Sequence, residues 1–180
     1  KQGFLKELIK YGALNTLGSL GFSVYIFFDT FFMARGLGAD GLTALNLVLP
    51  GFSLMAAVGL MLGVGGSTRF SVLRGQGDFE GADRVFTATV KAGAVIGAVF
   101  LAAAIAFTDP IVTLLGADET IHPLASTYLL TILSFSPAFI MSNIMTSFVR
   151  SDGSPKLAMA AMIAGSVVNT TLDIVFIFGF

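Results

Sequence analysis

Two carboxylates stand in surroundings that would otherwise suit hydrocarbon: Asp29, within SVYIFFDTFFMA, and Asp173, within NTTLDIVFIF. An acid at the centre of a membrane helix costs about 2.5–3.5 kcal/mol on insertion scales, less near the interface. One found there generally faces a cavity and marks a path for ions or protons. On the first apolar stretch Asn15, Ser19, Ser23 and Thr30 form a polar line, with Asp29 beside it. On the last, Ser166, Asn169, Thr170 and Asp173 keep the i, i+3, i+4, i+7 spacing of one helical face. Asn169 and Asp173 are a turn apart and can offer oxygens to the same ion or proton network. Polar lines also serve as interhelical glue, so depth is the stronger argument. Asp29 lies 17 residues past Gly12, and Asp173 lies 16 past Leu157. At about 1.5 Å per residue both fall roughly 25 Å from the inner end, level with each other. Two adjacent buried carboxylates cannot both ionise cheaply. A proton, or a sodium ion held by Asp29, Asn169 and Asp173, would relieve the repulsion. Losing that cation would favour a different helix packing.

The elements that must position these groups follow from composition. Of 180 residues 55% are hydrophobic and 12% charged, with mean hydropathy +0.88. A soluble domain carries about twice that share of charge, so the chain reads as an integral membrane protein. The absence of cysteine excludes a disulfide-stapled secreted domain, and 10 basic against 11 acidic residues leave no excess to meet nucleic-acid phosphates. Five stretches have the roughly 20 apolar residues a spanning helix needs: about 11–34, 42–66, 87–108, 124–149 and 157–180. None alternates as a barrel strand would. The expected fold is therefore all-α, a polytopic bundle of five transmembrane helices. Glycines at 36, 38 and 41 punctuate the first connection, and those at 75, 77 and 81 the second. Asp109-Pro110 and Pro123 bracket the third, and Asp152-Gly153-Ser154-Pro155 makes a tight fourth. Pro50, inside the second span, predicts a kink or a loosened turn. With the N-terminus in the cytoplasm, nine of the ten lysines and arginines lie inside and only Arg35 outside. The first span lacks the form of a cleavable signal. An odd number of spans ending on an apolar run suggests a part of a larger protein.

Other signals read more plainly. GVGGST (Gly63–Thr68) lacks the lysine of a phosphate loop and follows a membrane helix. Gly59/Gly63 and Gly93/Gly97 have the spacing that lets helices approach closely, and packing within the bundle is expected of them. His122 reads as a solvated loop histidine. Residues 69–91 read as a solvated cytoplasmic turn with local charge pairs. The methionines at 55, 61, 141, 145, 159 and 162 read as packing, with a pliable drug cavity as the alternative.

Four blocks, in order, carry a family likeness. YIFFDTFFMARGLGADGLTALNLVLP (25–50) resembles the first-helix region of multidrug and toxic compound extrusion (MATE) transporters. GVGGSTRFSVLRGQGDFEGADRVF (63–86) and FVRSDGSPKLAM (148–159) resemble that family's inner loops, and NTTLDIVFIF (169–178) its fifth helix. The prokaryotic DinF-like branch is the nearest. The resemblance implies five helices of a six-helix N-terminal lobe, the sixth helix and the C-terminal lobe being further parts of the same protein. It implies alternating-access export of small amphipathic or cationic organic compounds across the cytoplasmic (inner) membrane of a prokaryote. Protons or sodium ions would be exchanged, and no other cofactor is implied. Asp29 matches the family's first-helix acid, and Asn169 and Asp173 match its fifth-helix polar pair, with Thr30, Ser166 and Thr170 supporting. Leu14 stands where the family usually has a proline, so a proline-hinge mechanism does not transfer. Two rival readings meet obstacles in the residues. A lipid-linked oligosaccharide flippase of the same broad fold is expected to place several basic residues in its cavity, and the spans here hold only Lys91, close to the end of its own. An intramembrane aspartyl protease would use the two acids, but the Tyr-Asp and Gly-x-Gly-Asp signatures are missing. The chain is expected not to be an enzyme.

Overall fold

The computed structural model describes residues 2–178, with side chains only in part within residues 2–37, at Pro155 and from Asn169 onward. Five helices follow one another: α1 (Gln2–Gly75), α2 (Phe79–Leu114), α3 (His122–Ser134), α4 (Ser136–Ser151) and α5 (Pro155–Phe178). Among the described residues there is no strand.

α1 consists of two arms meeting at Gly38, where φ is 67° and ψ −154°. Nothing lies within 4 Å of where a Cβ would sit, so it is the positive φ and not crowding that suits glycine. The first connection therefore shrinks to a single residue. The second arm, Gly38–Gly75, has 38 residues, about 57 Å of helix against a hydrocarbon core of about 30 Å. Its excess length lets Arg69 and Arg74 clear the lipid. Gly38 is the one non-helical position in α1, so the dihedrals stay helical through Pro50. The loosened turn expected there takes the form of a missing donor, since Pro50 offers the Asn46 carbonyl no N–H.

Among the described residues, that arm and α2 are each long and apolar enough to cross a bilayer. α2 runs past Asp109-Pro110 to Leu114, and the reversal falls instead at Gly116, with φ 91°. The stretch expected as a fourth span is broken at Phe135 into α3 and α4, bent by 47°. Pro137, in the first turn of α4, has no N–H to continue the helix from Leu133. The buried Ser136 donates from Oγ to the Gly97 carbonyl at 3.2 Å and fixes the break against α2.

The core gathers around α4, whose Ile140, Ile144 and Phe148 are buried. Phe148 meets Phe70 of α1 at 5.2 Å and Phe86 of α2 at 5.1 Å, edge to face. The glycine pairs make this approach possible. A Cβ at Gly63 would lie 2.6 Å from Ser147 Oγ, and one at Gly97 would lie 2.6 Å from Pro137 Cα. The small-residue motifs thus pack one helix on another within the bundle.

Candidate functional site

The sequence places the first acid on the first arm of α1 and the second on α5, and α1 and α5 pack against each other. Asp29, Asn169, Thr170 and Asp173 lie outside the residues whose side chains are described. Their described neighbours are Thr30 and Ser166, both half-buried. Ser166 donates from Oγ to the Met162 carbonyl at 3.0 Å, which satisfies it within its own helix. Among the described residues no group of three or more His, Cys, Asp or Glu side chains could hold a metal ion.

Away from α4, the second arm of α1 turns out a face that composition did not single out. Thr43, Asn46, Pro50, Ser53, Ala57 and Met61 are all exposed, while Ala44, Val48 and Met55 on the opposite face are buried. Thr43 donates to the Ala39 carbonyl at 2.9 Å. Asn46 and Ser53 make no side-chain hydrogen bond to any described residue. The signal that could have drawn attention to them is Pro50, whose missing N–H leaves the Asn46 carbonyl without its usual helical donor.

The ends of the bundle carry two further polar arrangements. Arg74 is paired with Asp152 in the α4–α5 turn, and its guanidinium stands 5.4 Å from the Phe70 ring centre and 5.8 Å from that of Phe79. The expected solvated turn is therefore tied to a distant segment, while Arg84–Glu80 is the local pair. At the other end His122 is half-buried and opens α3 instead of lying in a loop. Its Nε2 is 3.1 Å from Thr113 Oγ1 and its Nδ1 3.4 Å from Ser126 Oγ. Ser126 also reaches Asp109 Oδ1 at 3.1 Å, and Asp118 caps the turn through the Thr120 and Ile121 amides.

The family model MatE matches residues 16–175, nearly all of the chain. The chain belongs to the MatE family. It is 29% identical to the multidrug export protein MepA of Staphylococcus saprophyticus over all 180 residues, which cover 40% of that protein. It is similar to a crystal structure of MATE in complex with MaD3S, with a TM-score of 0.89 at 27% identity over 95% of this chain and 38% of that one. It is equally similar, at 0.88 and 27% over the same shares, to a MOP superfamily transporter from Pyrococcus furiosus. The chain thus spans about two fifths of the length of the curated relatives it matches. MatE proteins are transporters and not enzymes. Within this MatE chain the pairing of Arg74 with Asp152 joins two of the blocks that carried the likeness, and Phe148 of the later block packs on Phe70 and Phe86 of the earlier.

Proposed function

We propose that this chain is the N-terminal part of a cation-coupled exporter of small amphipathic or cationic organic compounds. Asp29, Asn169 and Asp173 would together bind the coupling proton or sodium ion. The protein would sit in the inner membrane of a prokaryote with its N-terminus in the cytoplasm, and it would work by alternating access.

The observation that carries the reading is helical register. Ala13, Thr16, Leu20, Ser23, Phe27, Phe31 and Arg35 form the exposed line of the first arm of α1. Asp29 occupies a position about 180° around the helix from the middle of that line at 100° per residue. On α5 the covered line runs through Ala158, Met162 and Ser166, while Thr171, Leu172 and Val175 are exposed. Asn169 and Asp173 continue the covered line at the helical repeat. Register thus supports an inward position for each acid, one on the first arm of α1 and one on α5. An inward acid requires a partner or a cation, and an exchangeable cation is what an antiporter needs.

The test is gradient-driven efflux from proteoliposomes holding the full-length protein, driven in separate arms by a proton and by a sodium gradient. Asp29→Asn and Asp173→Asn are each expected to abolish gradient-driven efflux. Unchanged efflux in both would remove the coupling role.

A further inference from the structure

The exposed face of the second arm of α1 sets polar groups that lipid suits poorly among Leu49, Leu54 and Leu60. In hydrocarbon every polar group must find an internal partner, or it costs several kcal/mol. A helical hydroxyl can meet this requirement by bonding back one turn. Thr43 does so, and Thr68 does so to the Val64 carbonyl at 2.7 Å. Ser53 does not, nor does the Asn46 amide. Pro50 lies between them on the same face and withholds the N–H that would have served the Asn46 carbonyl. Asn46 Oδ1, the Asn46 carbonyl and Ser53 Oγ thus form a group of acceptor oxygens on one face. No charged side chain occurs from Leu42 to Thr68.

Depth agrees. Ser53 lies 11 residues into the expected span that starts at Leu42, about 16 Å along the helix and near the middle of the bilayer. Asp29 is nine residues before the Gly38 break and Asn46 eight after it, about 13 and 12 Å of helix from the same point. α2 serves as the internal control. Its exposed positions from Ala94 to Phe107 are Ala94, Val95, Ala98, Val99, Ala102, Ile105, Ala106 and Phe107, without a polar group among them.

We propose that Asn46 and Ser53 line the water-filled path and select its solute. They would accept hydrogen bonds from the N–H groups of an amphipathic organic cation. The acceptor set, with no cationic side chain beside it, suits a donor-bearing cation, and Ala57 and Met61 further along the face offer apolar contact. This assignment rests on the exporter reading, but its first test does not depend on transport.

Single cysteines at positions 46, 53, 95 and 99 are placed in the full-length protein on a cysteine-free background, in membranes, and treated with a membrane-impermeant methanethiosulfonate. N46C and S53C are expected to react at least tenfold faster than V95C and V99C. Equal rates at all four positions would overturn the proposal even if transport proceeds normally. Transport then reads selectivity with two probes. Ethidium carries aryl amines, and tetraphenylphosphonium has no N–H or O–H group. Asn46→Ala/Ser53→Ala is expected to raise the KM for ethidium about tenfold, the effect of losing roughly one hydrogen bond to a charged partner. For tetraphenylphosphonium the KM should stay within twofold. An equal loss for both probes, or for neither, contradicts the assignment. Reactive cysteines in a protein whose Asp29→Asn variant still couples would instead refute the coupling site and leave this face standing.

Discussion

The outer faces of two neighbouring helices of similar length differ in kind. α2 presents alanine, valine, isoleucine and phenylalanine from Ala94 to Phe107, whereas the second arm of α1 presents Thr43, Asn46, Pro50 and Ser53 among exposed Leu49, Leu54 and Leu60. Their inner faces are alike. Both pack on α4, and both use glycine to bring backbones together, Gly59 and Gly63 on α1 and Gly93 and Gly97 on α2. The difference is therefore confined to what each helix shows the outside. Hydrocarbon demands satisfied or absent polar groups, and α2 has none to satisfy. A face that keeps two side chains without hydrogen-bond partners among the described residues is matched to water or to a polar solute.

The largest expected effect tests the shared part of this comparison. Gly97→Leu would drive a side chain into Pro137, whose Cα is 2.6 Å from the Cβ position, and backbone cannot give way cheaply. Overpacking of this kind costs about 1–3 kcal/mol or more, so the purified variant should show a much lower melting midpoint or fail to fold. Val99→Leu, on the exposed side of α2, should leave that midpoint unchanged.

The second prediction acts on the outer faces themselves. Val99→Asp should cost about 2.5–3.5 kcal/mol if α2 faces lipid. Ala57→Asp, on the exposed face of α1, should cost less than half as much if that face meets water. Folded yield by size-exclusion chromatography after extraction separates the two outcomes. Equal losses would mean that the two faces share one environment.

The smallest effect belongs to the bundle end. Arg74→Ala removes a pair whose side chains are 42% and 52% exposed, together with its contacts to Phe70 and Phe79. Pairs in that setting contribute about 0–1 kcal/mol. Stability should fall by no more than about 1 kcal/mol, and the reactivity of S53C should not change. A large change in reactivity would mean that the end contact, and not the glycine-lined core, sets the orientation of the arm.

Much of this is legible in the amino-acid sequence. A helical class and the breaks at Gly38, Gly77 and Gly153 follow from hydropathy and glycine, because both act locally. Pro50 loosens a turn within helical dihedrals, because a proline removes a donor without obliging the helix to leave them. The break at Phe135 was hidden because hydropathy cannot see a bend between two apolar halves, and Pro137 was the unread sign. Arg74 and Asp152 are 78 residues apart, and no periodicity predicts such a meeting. The polar line on α5 was readable because four polar residues repeat on one face. That on the second arm of α1 was not, because Asn46 and Ser53 stand out only when their lack of partners among the described residues is seen beside Thr43.

The central claim, one cation held jointly by the two acids, is tested most directly by cation-dependent melting of the full-length protein. A cation that binds the folded state at 100 times its dissociation constant stabilises it by about 2.7 kcal/mol. Raising sodium at fixed pH, or lowering pH at fixed sodium, should lift the midpoint of the wild type in one of the two series. Asp29→Asn and Asp173→Asn should each lose that increment, and the double variant should lose no more than either alone, as residues sharing one site do. Losses that add, or an increment that survives in both single variants, would contradict a shared site.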